Sequence, residues 1–377
     1  GVDPARVGPE AALAALPALS RAVLARDPEA WRSRAYRRLP LVSTHTGGTT
    51  GRPMPFLQTR GAVAEKDATA RVLRRRMGIV AGCRRAFLWG AAQDAPAAGR
   101  GRLGRLAHRA LARGLHRELY LPATGLDDAV LDAYAERLRA FRPGFLQGYP
   151  SATDLLARRI LERGHVVPVP RVVLTAEPVF PDQRERVARA FGARVLAFYG
   201  ARECGWIAAE CATAGRLHVN TAGVHVEATP DGRLLVSDLV NRAMPLVRYE
   251  IGDRGRIDPE PCRCGDPRPV LAALEGRQTD VFVLPSGRRV PGVVTDLRGY
   301  RAGEGILDVQ LVQDEASVLD VHWVPTAAFR DEDLDALRAR LDRWFFGEVS
   351  FRFHRRDRIP PGPNGKVRWC VSRVAVA

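Results

Sequence analysis

Lysine is nearly missing from this sequence: Lys66 and Lys366 are the only two, and the rest of its 58 basic residues are arginine. No apolar run approaches the ~20 residues needed to span a bilayer, which excludes a transmembrane-helix class. The six cysteines, at 83, 204, 211, 262, 264 and 370, are too few and too unevenly spaced for a disulfide scaffold. Aromatic residues make up 7%, and no recognisable nucleic-acid motif interleaves them with arginines. A basic, zinc-stabilised nucleic-acid-binding protein is therefore the weakest of the readings weighed, although the net charge is +16. Arginine spread along the whole chain reads as compositional bias, and its field speaks to association rather than to fold. The sequence opens without Met, a charged n-region or an apolar h-region, and is read as cytoplasmic and clipped at its N-terminus. What is present is 46% hydrophobic and 27% charged over 377 residues, a composition for two or three folded domains.

Residues 9–34 carry Leu13, Leu16, Leu19, Val23 and Leu24 at helical spacing and predict a peripheral helical lead-in. From Leu39 to about Leu274, apolar runs alternate with helical segments: 144–149, 151–164, 171–177, 181–192 and 194–200. That alternation predicts a mainly parallel α/β sheet. Ligands bind beyond the carboxyl ends of such strands, which here means Ala176–Glu177 and Gly200–Glu203. Residues 216–228 and 233–239, separated by the turn Pro230–Asp231–Gly232, predict a small antiparallel β unit. After Gly276 the sequence restarts as short strands at 281–284, 308–312 and 318–324 around a helix at 331–346, an α+β domain of plausible size. The stretch 99–117 fits a basic amphipathic helix. It is either a patch for anionic lipid, an acidic carrier domain or a phosphate-rich ligand, or simply a surface helix, and the surface helix is the reading preferred.

Residues 43–53 read STHTGGTTGRP, directly after the apolar stretch 39–42. The N–H groups and hydroxyls of Thr46, Gly47, Gly48, Thr49, Thr50 and Gly51 can wrap phosphate oxygens, and glycine lets the backbone approach them closely. No Gly-Lys-Ser/Thr closes the loop, so it is not a Walker loop. Downstream stand 198–205 (FYGARECG), 248–255 (RYEIGDRG), 275–280 (EGRQTD) and 363–368 (PNGKVR). In this order, over nearly the whole chain, these segments resemble the motifs of the adenylate-forming enzymes, which include acyl- and aryl-CoA ligases. The details 147–152 (QGYPSA), 175–178 (TAEP), 241–253 and the Cys-x-Cys at 262–264 look most like the phenylacetate-CoA ligase and CapK-like branch. The chain departs from the family pattern at Gly47, Arg52 and Arg202, and its lead-in before the phosphate loop is shorter than in that branch.

The resemblance implies a large N-terminal α/β adenylation domain over 1–276, with a small β unit, and a small mobile α+β domain over 277–377 that pivots about 277–280. It implies that the loop 46–51 holds ATP phosphates and that Glu177 and Pro178 lie beside the nucleotide or acyl pocket. It further implies that Tyr199 and Gly200 border the adenine, Glu203 binds the magnesium on ATP, Asp253 accepts from both ribose hydroxyls and Arg277 lies near the ribose. Lys366 is the lysine of the adenylation step, and a compact ammonium in a chain that otherwise writes arginine fits that role. The reaction implied is ATP-dependent adenylation of a small carboxylic acid, aryl or arylacetic, followed by transfer to coenzyme A. A carrier-protein thiol or an amine as acceptor, an amide or ester ligase, and a nucleotidyl transferase stay open, as does a homodimer.

Cys211, His218, Cys262 and Cys264 form two sequence-distant pairs of ligand type. Three thiolates and one imidazole close a tetrahedral zinc site with no place for water, which is the pattern of a structural site. Some members of the resembled branch carry a metal here. Cys204 is the rival ligand, and Cys83 and Cys370 read as core. Trp89, Tyr149 and Trp206 are candidates for an acyl-site wall, against the commoner role of aromatics at strand ends as core.

Overall fold

The computed structural model describes Arg6 and residues 8–45, 55–89, 117–123, 126, 128–177, 179–275, 281–291, 305–359 and 370–374. The phosphate loop 46–51, Pro178, Arg277 with the pivot 277–280, Lys366, and all but the last residue of the basic stretch 99–117 lie outside the described residues. Helices α1 (Pro9–Ala14) and α2 (Arg21–Arg26) lead to the antiparallel pair β1 (Val42–His45) and β2 (Pro55–Gln58). Then follow α3 (Arg60–Arg76), β3 (Arg85–Trp89), β4 (Glu118–Pro122), α4 (Asp128–Phe141), β5 (Phe145–Gly148), α5 (Pro150–Glu162), β6 (Arg171–Leu174), α6 (Pro181–Phe191) and β7 (Arg194–Ala201). The next strands are β8 (Gly205–Glu210), β9 (Leu217–Val219), β10 (Val224–Ala228), β11 (Arg233–Asp238), β12 (Tyr249–Asp258) and β13 (Val270–Glu275). The last elements are β14 (Val281–Val283), β15 (Arg289–Pro291), β16 (Ile306–Glu315), β17 (Val318–Pro325), α7 (Asp331–Trp344), β18 (Ser350–Arg355) and β19 (Cys370–Ser372).

One sheet of eleven strands, in the order β10-β11-β12-β13-β9-β8-β7-β6-β5-β3-β4, runs through the first part of the chain. From β4 to β7 neighbouring strands are parallel, and from β7 to β10 they are antiparallel. Parallel strands must be covered on both faces, because their connections place helices there. Leu146, Val172 and Leu174 accordingly pack with Leu138 of α4, Leu156 of α5 and Val187 of α6 on one face. Phe145, Val173 and Leu196 pack with Leu73 of α3 and with Met77 on the other. All of β5 is buried, which is why its sequence shows no polar alternation.

The antiparallel strands expected at 216–239 are present as β9 to β11 and belong to the large sheet: β8 pairs directly with β7, so the ladder continues unbroken, and Val219, Val224, Val236, Tyr249, Ile251 and Leu271 make a core of their own. One expectation from the sequence is corrected here. The lead-in is helical, as two short helices, but it is not peripheral. Pro17 and Pro28 interrupt the helical run, as the missing N–H of proline dictates. Between the two helices Leu19 exchanges backbone hydrogen bonds with Arg248 and Glu250, and Leu24 is fully buried in the antiparallel core.

In the C-terminal part a four-stranded sheet in the order β18-β17-β16-β19 carries α7 on one face. Leu311, Leu319, Val321, Leu337, Leu341 and Phe345 form its core together with Phe282 of β14. The buried Gln313 amide stitches β14 to β16, donating to the Val283 carbonyl at 2.7 Å and accepting from the Val283 N–H at 3.0 Å. No helix among the described residues is long and apolar enough to cross a membrane.

Candidate active site

At the carboxyl end of β7 the chain reverses sharply into β8, with Gly200 opposite Trp206 and Ala201 opposite Gly205. A Cβ at Gly200 would lie 2.6 Å from the Gly205 carbonyl oxygen, and Gly205 has φ +75°, so both positions need glycine. The turn carries Glu203 inward, where it is 2% exposed, and leaves Arg202 outside.

Strand β12 lies four places from β7 in the sheet order. In a flat sheet that separation would be about 19 Å at the usual strand spacing. Instead, the Tyr199 hydroxyl donates to Asp253 Oδ2 at 2.6 Å, and the Tyr249 hydroxyl donates to Glu203 Oε1 at 3.3 Å. The antiparallel half therefore curls back over the β7–β8 turn, in the sense that strand twist accumulates. Two buried carboxylates, each with a phenol as donor, come to lie on one side of that curl. A carboxylate has about four acceptor sites, and one phenol occupies a fraction of those of Glu203.

Thr175, Ala176 and Glu177 follow the neighbouring strand β6 at the same carboxyl edge. Ala176 has φ +72°, a left-handed conformation that costs an L-residue about 1–2 kcal/mol. Ala176→Gly should raise unfolding free energy by about 1 kcal/mol in urea titration, and an unchanged midpoint would show that the turn is not strained.

Of the two roles open to the aromatic candidates, the contacts favour the commoner one, core, for Trp206 and Tyr149. Trp206 stacks on Phe198 at 3.7 Å under the Arg74 guanidinium, against the core beneath α3. Trp89 stacks on Tyr149 at 4.5 Å, and Tyr149 packs against the core under α4 to α6. Trp206 and Tyr149 are half-buried and pack against these cores.

A second cluster lies at the far ends of the antiparallel strands. Cys211 follows β8, His218 is on β9, and Cys262 and Cys264 stand between β12 and β13. Their four ligand atoms lie within 4.8 Å of one another. Cys211 Sγ is 3.9 Å from Cys262 Sγ, close to the ~3.8 Å edge of a tetrahedron with 2.3 Å metal–sulfur bonds. Cys264 Sγ is 3.3 Å from His218 Nε2. This donor set fits a tetrahedral zinc ion. Burial opposes the Cys211 thiolate, but hydrogen bonds from Ala214, Arg216, Cys264 and Cys262 together lower its pKa. Burial also lowers the His218 pKa, keeping the imidazole neutral as a ligand must be. Behind it, Asp266 is pulled down to about 2 by hydrogen bonds from Arg268 and is further paired with Arg76 of α3. Asp266 Oδ2 lies 4.0 Å from His218 Nδ1. Cys204 is not in the cluster. It is buried beside Glu203, and burial, with the charges of Glu203 and Asp238, pushes its thiol well up and keeps it protonated.

No family model matches the chain. Over 346 residues it is 24% identical to the protein CapK of Staphylococcus aureus, an alignment covering 89% of this chain and 75% of CapK. Over 276 residues it is 25% identical to the phenylacetate-coenzyme A ligase of Thermus thermophilus, covering 61% of this chain and 60% of that enzyme. Its fold matches 2-hydroxyisobutyryl-CoA ligase in complex with 2-HIB-AMP and CoA at a TM-score of 0.63, with 19% identity over 98% of this chain and 83% of that one. The post-adenylation form of the same ligase matches at 0.59.

Proposed function

We propose that this chain, whose fold is that of the adenylate-forming enzymes, is an AMP-forming acid–thiol ligase. It adenylates an aryl or arylacetic acid with ATP and passes the acyl group to coenzyme A in the cytoplasm. One observation carries the reading: the Tyr199–Asp253 and Tyr249–Glu203 hydrogen bonds join two motifs some fifty residues apart into one site. That site lies at the carboxyl edge of the parallel strands, where open α/β sheets bind ligands. The likeness to a phenylacetate-coenzyme A ligase and to a ligase structure holding an acyl-AMP and CoA supports it.

In this reading the loop 46–51 wraps the phosphates, Tyr199 and Gly200 border the adenine, and Asp253 and Arg277 hold the ribose. Glu177 and Pro178 lie beside the nucleotide or acyl pocket. Glu203 is the protein ligand for magnesium, and a buried, hydrogen-bonded carboxylate is the hard oxygen donor that ion takes. When bound, magnesium neutralises phosphate charge. A carboxylate oxygen attacks the α-phosphorus of ATP and pyrophosphate leaves; the thiol sulfur then attacks the acyl carbonyl, loses its proton, and AMP leaves with the bonding pair. The first step brings two anions together, so the site must supply donors and positive charge away from water. The Lys366 ammonium is the mobile part of that charge. Residues 277–377 form the domain that carries it, and rotation about 277–280 withdraws it before the thiol enters. Zinc at Cys211, His218, Cys262 and Cys264 is structural, tying β8, β9 and the β12–β13 connection together.

Asp253→Asn keeps an acceptor for Tyr199 but removes a charged one from the ribose. Losing a charge-assisted hydrogen bond of about 1.5–3 kcal/mol should raise KM for ATP roughly tenfold or more at similar kcat. An unchanged KM would remove Asp253 from the nucleotide site. The overall reaction is tested by AMP release from ATP over aryl and aliphatic acids, with CoA, carrier-protein thiols or amines as acceptors. AMP formed in step with a CoA thioester supports the reading, and AMP release that needs an amine identifies an amide ligase instead.

A further inference from the structure

Lys66, one of the two lysines of the chain, lies on α3, outside every motif discussed above. Its side chain is 10% exposed. The ammonium sits 2.7 Å from Asp238 Oδ2, donates to the Glu203 carbonyl oxygen at 2.6 Å, and donates to Gln58 Oε1 at 3.2 Å. Two of its donors reach the Glu203 and Gln58 oxygens, and Asp238 Oδ2 pairs with its charge. Asp238 is fully buried at its side chain, and its other oxygen accepts the N–H groups of Val240 and Asn241 at 2.9 and 3.1 Å. The lysine stem passes under the β7–β8 turn, with its carbons 3.6–3.7 Å from the place of a Cβ on Gly205. A compact ammonium fits among three oxygens gathered about one point, two of them hydrogen-bonded and one ion-paired, whereas a planar guanidinium spreads its donors over a wider fork. That geometry accounts for a lysine here in a chain that otherwise uses arginine.

We propose that Lys66 is a positioning residue for adenylation. It holds the Glu203 peptide carbonyl against the buried charge of Asp238, and so fixes the turn that aims the Glu203 carboxylate at the nucleotide's divalent metal. Tyr249 restrains the carboxylate from its far end, and Lys66 restrains the backbone from which it projects. The inference rests on the assignment of Glu203 as metal ligand made above.

The test is calorimetric binding of ATP to the full chain, once with Mn²⁺ and once with EDTA. The ratio of the two dissociation constants measures what the metal adds. The wild type should bind Mn²⁺–ATP at least tenfold more tightly than metal-free ATP, and Glu203→Gln should lose that advantage. The double variant Lys66→Met with Asp238→Asn removes both charges, so neither is left buried without its partner. It should fold, keep metal-free ATP affinity within about twofold, and lose at least fivefold of the metal advantage. Lys66→Arg keeps the charge that Asp238 needs and serves if the double variant does not fold; it should lose at least threefold. A general loss of structure would weaken both forms of binding, whereas loss of positioning weakens only the metal-dependent one. No metal advantage in the wild type, or full retention in Glu203→Gln, overturns the assignment of Glu203 and the inference with it. Loss in Glu203→Gln with full retention in a folded Lys66 variant overturns the role of Lys66 alone.

Discussion

Lys366→Ala should abolish adenylate formation, by roughly 10²–10³-fold or more, while thiolysis of a supplied acyl-adenylate by CoA continues near the wild-type rate. Attack of a carboxylate on the α-phosphate builds negative charge between two groups that are already anionic. A lone ammonium placed there stabilises the transition state far more than the ground state, so its removal falls on kcat rather than on KM. The second step needs no such charge, because AMP is already a good leaving group and the thiolate must approach freely. Single-turnover assays of the two half-reactions separate these cases. Equal loss of both would contradict the role given to Lys366 and the rotation of residues 277–377 that withdraws it.

Cys262→Ser should remove bound zinc and lower stability by on the order of 5 kcal/mol, less than the ~10–16 kcal/mol with which zinc-finger peptides depend on their metal. The smaller figure follows from the core that the antiparallel strands possess in their own right. The cluster ties the β12–β13 connection to β8 and β9, which already pair along the sheet, with Cys211 past β8, His218 on β9, and Cys262 and Cys264 before β13. Elemental analysis should find one zinc per wild-type chain and none in the variant, whose Tm should fall by about 10 °C. Cys204→Ala should keep the metal, since Cys204 lies beside Glu203 and apart from the cluster. A wild-type protein that holds no zinc when produced with zinc present, and melts identically with a chelator, would contradict the site.

The parallel strands were legible because burial on both faces leaves short apolar runs between Gly, Pro and helical segments. The expected strands at 144–149, 171–177 and 194–200 correspond to β5, β6 and β7. The break in the lead-in was legible in principle, since Pro17 and Pro28 stand in the sequence, but the apolar spacing of 9–34 masks it. That Leu19 and Leu24 cover the antiparallel core could not be read, because the strands of that core, among them Arg248 and Glu250 bonded to Leu19, lie some two hundred residues away. The same holds for the continuity of β7 with β8, which depends on strand pairing and not on local pattern. Tyr199, Glu203 and Asp253 stand out through the motifs that contain them. What unites them is the curl of the sheet, and with it the part of Tyr249, which no spacing displays. Lys66 lies in a helix without a motif, and the scarcity of lysine was its only signal.

Carboxylate-dependent ATP–pyrophosphate exchange tests the central claim most directly, over a panel of aryl and aliphatic acids and beside the Lys366→Ala variant. Exchange that appears with aryl or arylacetic acids, needs no CoA, and vanishes in the variant is the expected result. Absence of exchange with every acid, in folded protein supplied with magnesium and zinc, would contradict adenylation as the activity of this chain.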